Sequence, residues 1–443
     1  MKPTPGANNQ AARQVHSKFT QALALHQGGQ LAQAQALYQQ VLQVQPRHAD
    51  ALHLLGIMAR QAGNLPQAAE LMRQSIEIAP GNAATHALLG NVLNDLGQYE
   101  AAIRTYDQAI TLKPDQAEVY ANRGVALTRS KQFQAAIDSF SQAIALKPRY
   151  AQACCSRGNA HSHLKQYPDA LASYDQAIAI QPDYAEAYLG RGSALVELKR
   201  PEEALTSYDQ AIELKPDFAQ AYFNRGVALH RLKRYPLALN SFDQAIALKP
   251  DFADAHGYRG VTQHQLGLYQ AALDSYGQAL GLDPAFADAH WFRGNTLKEL
   301  RQHQAAIDSY KQAIELKPDA VQAHWNLALC YLQMGEFALG WQEYEWRWQH
   351  FLGKPWKECV AFPQPEWSGE QSLQGKTLLL HSEQGLGDTI QFCRYVKLLD
   401  AAGARVVLKV QRPFVTLLAS LEGVAEIVAL GDPLPPLTTT APC

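Results

Sequence analysis

The chain has 443 residues, too many for one ordinary compact core, so it holds several folding units or an open-ended array. Its 39 basic and 41 acidic residues leave a formal net charge of −2 without a basic stripe or run, which speaks against nucleic acid and anionic membrane as partners. The longest apolar stretches, such as Thr377–Leu380 and Ile427–Leu430, are far shorter than the ~18–20 residues that cross a bilayer.

The N-terminus (Met1–Asn9) is polar, with no apolar stretch behind its single lysine, unlike a secretory signal. The six cysteines form no Cys-x-x-Cys pair, as expected of reduced thiols. A cytoplasmic protein with a disordered tail over 1–14 is the expectation.

Prolines then recur at Pro46, Pro80, Pro114, Pro148, Pro182, Pro216, Pro250, Pro284 and Pro318, each 34 residues after the last. A fixed period of this size marks stacked supersecondary units. Glycine keeps the phase from Gly56 to Gly294 and alanine from Ala68 to Ala306. An aromatic column runs Tyr106, Phe140, Tyr174, Tyr208, Phe242, Tyr276, Tyr310. Small residues let two helices approach, and the ring fills the space beside them. Proline ends the second helix of each pair, with Lys113, Lys147, Lys215, Lys249 and Lys317 ahead of it, favourable at a helix C-terminus. Asp115 with Glu118, Asp183 with Glu186, Asp217 with Gln220 and Asp319 with Gln322 have capping-box spacing for the helix that follows.

These columns resemble the tetratricopeptide repeat, and the resemblance covers residues 15–350 as ten units, the first degenerate. The expected fold is mainly α, a superhelical solenoid of such repeats, followed by a short, incomplete α/β segment, half Rossmann-like. In that family the first helix of each pair lines the concave face. Asn122, Asn224 and Asn326 share one such position, and Asn91, Asn159 and Asn295 another. An amide both donates and accepts, so these six can hold the backbone of an extended peptide. The array resembles that of the O-linked N-acetylglucosamine transferases, whose asparagine ladder works this way; here Ser156, Gly190, Tyr258 and Phe292 interrupt the first column.

Arginines at Arg123, Arg157, Arg191, Arg225, Arg259 and Arg293 read as helix-bridging groups, with a phosphate-binding row as the alternative. His256, His290 and His324 stand a repeat apart, roughly 8–10 Å and too far to share an ion. No metal and no cofactor are expected.

The phase ends near 350. Residues 351–375 read as a linker pinned by Trp356 and Trp367. Lys376–Ser382 (strand), Glu383–Asp388 (turn), Thr389–Ala402 (helix), Arg405–Val410 (strand), Pro413–Leu421 (helix) and Glu426–Leu430 (strand) predict a βαβαβ half sheet over 376–432 with an unpaired edge. Gly385 and Gly387 form an anion or sugar loop ahead of a helix.

Gly340-Trp341 through Arg347 and Glu383 through Phe392 resemble a bacterial family in which such repeats precede a GT-B glycosyltransferase-like domain related to the heptosyltransferases. By that resemblance Asp388 takes the place of the general base on the acceptor hydroxyl; Asp388 as N-cap of the next helix is the other reading. The resemblance implies a nucleotide sugar as ligand only where the second GT-B domain completes the first. Residues 433–443 read as an aberrant tail. One coding string for Leu437–Cys443, read a base earlier, gives Phe-Asp-Tyr-His-Cys-Pro-Leu, similar to that family's continuation, so a frameshifted or early-ended reading frame is expected. The chain is thus expected to be a non-enzymatic scaffold binding a protein or peptide in its groove, or alternatively the acceptor-side half of a glycosyltransferase.

Overall fold

A computed structural model of the chain describes residues 5–352, 364–365, 367, 369–382 and 386–442, and falls into two units, Met1–Leu316 and Lys317–Cys443. The first helix is Pro5–Gln27, so residues 5–14, expected as a disordered tail, belong to that helix. Helix pairs then follow in a fixed rhythm, as in Ala117–Arg129 with Phe133–Leu146 and Ala185–Glu197 with Pro201–Leu214. The last pair of this unit is Ala287–Glu299 with His303–Leu316.

The glycine and aromatic columns meet face to face. A Cβ added to Gly90, Gly192 or Gly294 would lie 2.5 Å from Cε1 of Tyr106, Tyr208 or Tyr310. At Gly124, Gly226 and Gly260 the same gap to Phe140, Phe242 and Tyr276 is 2.6 Å. No side chain fits there, so each ring lies directly on the backbone of its first helix. All these rings are buried, as are the alanines beside them. Burying one such ring contributes about 2–3 kcal/mol, repeated once per unit.

The arginine column bridges helices, as the first of its two readings has it. Arg123 Nε donates to Asp107 Oδ1 at 2.7 Å in the preceding repeat and its Nη1 to Ser139 Oγ at 2.5 Å in its own. Arg191 does the same with Asp175 and Ser207, both at 2.7 Å. Arg259 reaches Asp243 and Ser275. Where the aspartate is replaced by Ser141, Arg157 turns instead to Ser173 and Gln176.

Both kinds of turn depart from simple expectation. Asp115, Asp183, Asp217 and Asp319 do not cap: the N-cap positions are Gln116, Tyr184, Phe218 and Ala320, without a side-chain cap bond, because the helix starts one residue later than the capping box requires. Asn64 and Asn82 do cap, accepting from Gln67 and Thr85 N–H at 3.2 Å. Within each pair the first helix closes with the paired backbone bonds of a Schellman turn, as in Lys131 N–H to Thr128 O and Gln132 N–H to Leu127 O. The left-handed residue is glycine at 63, 97 and 267 but lysine at 131, 165, 199 and 233.

The histidine column is a carbonyl clasp. Nε2 of His86 and of His256 lies 2.9 and 3.0 Å from the carbonyl oxygen of Pro80 and Pro250, closing the loop that precedes its helix. Among the described residues no cluster of His, Cys, Asp or Glu could hold a metal. First helices also touch their counterparts in adjacent repeats, as Ala117–Arg129 touches Ala151–His163, whereas second helices have no comparable contacts with each other. A stack tighter on one side curves toward that side, so the first helices form the inner wall of this unit.

The second unit holds the tenth pair, Val321–Met334 and Phe337–Tyr344, and a short helix Arg347–Leu352. His324 lies between the Pro318 carbonyl oxygen at 2.9 Å and Glu343 Oε2 at 2.5 Å and stacks on Trp346. Burial depresses its pKa, but the Glu343 and Pro318 acceptors outweigh that and leave it raised. Most of 351–375, including Trp356, lies outside the described residues; Trp367 Nε1 donates to Gln371 O at 2.9 Å.

Beyond it stand four parallel strands, β1 (Thr377–His381), β2 (Arg405–Val410), β3 (Val424–Ala429) and β4 (Thr439–Pro442), in the order β3-β2-β1-β4. The expectation was three strands with an open edge. Instead, β4 pairs with β1 from Leu378↔Thr439 to His381↔Pro442, so the end of the segment expected as an aberrant tail completes the sheet. The helix expected at Thr389–Ala402 starts earlier and breaks, into Leu386–Cys393 and Val396–Ala401.

Two outcomes follow from this packing. Gly226→Val puts two methyl groups where a Cβ alone would meet Phe242, and should cost about 1–3 kcal/mol, read as a lower thermal midpoint by circular dichroism. Burial pushes the Tyr174 and Tyr208 hydroxyls up to about 12. Since the folded state holds those protons more tightly, their contribution is intact below about pH 10 and lost as pH rises toward 12. The alkaline unfolding midpoint should therefore move up in Tyr174→Phe/Tyr208→Phe, which copies what Phe140 and Phe242 already do.

Candidate functional site

The inner wall of the first unit carries five of the six asparagines expected to contact a ligand, and tyrosine hydroxyls hold three of them. Tyr106 OH donates to Asn91 Oδ1 at 2.8 Å, Tyr174 OH to Asn159 Oδ1 at 2.7 Å, and Tyr310 OH to Asn295 Oδ1 at 2.9 Å. The same ring that fills the glycine gap therefore orients a groove amide. With its oxygen turned to the core, Asn159, which is exposed, presents its N–H donors outward.

The two asparagine columns also touch. Asn122 Nδ2 donates to Asn91 Oδ1 at 2.9 Å, linking adjacent repeats, and Asn224 Nδ2 donates to Ser193 Oγ at 3.2 Å in the same relation. Gln220 Nε2 in turn donates to Asn224 Oδ1 at 2.9 Å. The result is a set of amides held in place, offering donors at one position and acceptors at the next. Asn326 belongs to the second unit, on the helix Val321–Met334, and is half-buried.

Further along the wall, amides give way to rings. Phe223 packs edge-on to Tyr258, with centroids 5.5 Å apart, and Phe292 stacks beside Tyr276. Between repeats four and five a cleft of about 690 Å³ opens, lined by Asn159 with Arg129, Lys131, Ser156, Ser162 and His163, over Val125 and Phe133. Of these the sequence singled out Asn159 as a ligand contact, and Ser156 only as an interruption of the other column. The signal was present: the column 95, 129, 163, 197, 231 is charged or basic throughout.

In the second unit the proposed sugar loop is only partly in view. Gly385 lies outside the described residues, as does the side chain of Asp388. Gly387 is exposed, and nothing lies within 4 Å of a Cβ built on it, so packing does not demand a glycine there. The helix opens at Leu386, which puts Asp388 within its first turn and not at its cap. Upstream, β1 ends on His381, buried and with its pKa pushed down to about 4 by that burial, hence neutral near pH 7. Among the described residues no helix is long and apolar enough to cross a membrane.

Comparison with known proteins agrees with the repeat geometry. One family model, described as TPR repeat, matches residues 90–131, 163–199, 192–233 and 294–335. Two described as tetratricopeptide repeat match 19–83 with 265–308, and 117–150 with 219–252. No curated protein sequence matches the chain.

Among solved structures, YrrB, titled a TPR protein with an unusual peptide-binding site, is 25% identical over 42% of this chain and 96% of its own, with a TM-score of 0.36. MamA is 27% identical over 39% of this chain and 94% of its own, with a TM-score of 0.37. A tetratricopeptide repeat protein from Parabacteroides merdae is 17% identical over 56% of this chain and 98% of its own, with a TM-score of 0.47. The matched segments of the repeat models together span more than half of the sequence, and two of them, 117–150 and 219–252, each cover one observed helix pair. The chain belongs to the tetratricopeptide-repeat proteins.

Proposed function

We propose that this chain is a protein-interaction scaffold whose repeat array holds an extended peptide along its inner wall. The observation that carries this reading is the fixing of groove amides by core tyrosines and by each other. An amide already held in place loses little entropy on binding, and alternating donors and acceptors suit a peptide backbone, which presents both. Such recognition reads the extended conformation more than the sequence.

The test is capture by the full chain, wild type against Asn122→Ala/Asn224→Ala. Partners bound by the wild type should be lost or reduced about tenfold in the variant, as expected when several backbone contacts go together. Since Asn122 also ties two repeats, equal melting of the two proteins must accompany the loss. Undiminished capture by a folded variant would end the reading.

One observation favours a second reading for the other unit, that of a nucleotide-sugar-dependent glycosyltransferase half of GT-B type. The order β3-β2-β1-β4 reverses direction at β1, and such switch points are where open parallel sheets bind ligands, outside the carboxyl ends of their strands. Gly387 stands just after β1, near that point in the chain, with Asp388 next to it as the acceptor's general base on this reading. If the scaffold reading suffices, uridine- and adenosine-diphosphate sugars leave the melting curve unchanged and are not turned over. A reproducible upward shift of several degrees would support the enzyme half.

A further inference from the structure

The residues that close the first helices change sign along the array. Asp95 is bound to Arg60 at 3.0 Å, and Glu197 faces Arg231 at 3.7 Å, so those charges answer each other. Between them the same column holds Arg129 and His163. Among the described residues neither of these, nor Lys131, has a carboxylate partner. His163 stacks on Phe133 with ring centroids 4.5 Å apart.

All three basic side chains line the cleft between repeats four and five, and no carboxylate is among its lining groups. Asn159 adds N–H donors there, because its oxygen is already taken by Tyr174. Lys131 occupies its turn with φ at 61°, where a β-carbon is unfavourable and where the equivalent position in the preceding repeat is Gly97. A charged chain thus stands at the mouth of the cleft against the local backbone preference. The basic edge continues at the same turn position through Lys165, Lys199 and Lys233, all exposed.

Resting on the groove reading above, we infer that this cleft anchors an acidic side chain of the bound peptide, its carboxylate facing Arg129, Lys131 and the Asn159 amide. A carboxylate offers acceptors alone, and the cleft's charged groups and its fixed amide offer donors. The flanking lysines extend the preference to a peptide with several acidic residues. Because these groups face water, their attraction weakens with added salt.

Fluorescence anisotropy with the full chain tests this, using N-acetylated, fluorescein-labelled peptides of alternating Glu/Ala, Gln/Ala or phosphoserine/Ala. About twelve residues span roughly 40 Å when extended, enough to cross several repeats. The Glu/Ala peptide should bind about tenfold more tightly than Gln/Ala at low salt, an advantage that shrinks as salt is added. Arg129→Ala/Lys131→Gly should remove most of the advantage, leaving only the part that Lys165, Lys199 and Lys233 supply. Glycine suits the left-handed turn, so the melting temperature should not fall and unfolding would not account for the loss.

Equal binding of Glu/Ala and Gln/Ala, or an advantage undiminished by the double substitution, overturns the anchor. The groove reading still stands in that case if Asn122→Ala weakens both peptides. Binding by neither peptide overturns both readings. Tight binding of phosphoserine/Ala alone assigns the cleft to phosphate and overturns the carboxylate.

Discussion

The contact on which the array depends is an aromatic ring laid on bare helix backbone. Gly192 leaves no room for even one carbon beside Tyr208, and the same gap recurs through most of the first unit. An isolated helix pair of 13 and 14 residues buries one ring and a few alanines, too little to offset the entropy of ordering it. Stacking gives each pair two neighbours. The arginine bridges then tie second helices across repeats, and because these ion pairs are partly exposed they fix the angle between repeats more than they add energy.

The same contact reaches the groove. Tyrosine and phenylalanine fill the gap equally well, yet only tyrosine has a hydroxyl to orient an asparagine on the inner wall. Repeats with Phe140 and Phe242 carry Val125 and Val227 where others carry Asn91 or Asn159. Core and groove residue change together at six of the seven rungs from 91 to 295; the exception is Val261, which sits in the repeat of Tyr276. At those six rungs the choice between a polar and an apolar groove residue follows the ring in the core.

The second unit follows a different logic. Leu378, Leu380, Val406, Leu408 and Val410 are buried and pack with Val396 and Phe414 from the helices, while Leu379, Val407 and Val428 form a second cluster with Leu434 and Leu437. That apolar covering on both sides is the signature of a parallel sheet. Its last strand comes from a stretch of threonines, Thr438 to Thr440, with high β propensity but no alternating pattern to announce it.

By itself the sequence determined the repeat and its class, because a period of 34 marked by nine prolines leaves each close contact with its own residue type. The roles of the arginines were legible for the same reason. What the sequence could not decide was geometry between repeats. Asp115 has the spacing of a capping residue, but the helix starts a residue later and the cap is not formed. That a groove asparagine answers to a core tyrosine, that Arg129 and His163 share one cleft without a carboxylate, and that Thr439–Pro442 joins β1 all depend on residues brought together by stacking or strand pairing. A linear pattern records which faces are apolar and where chains turn; distances between side chains of different repeats exist only once the helices have packed.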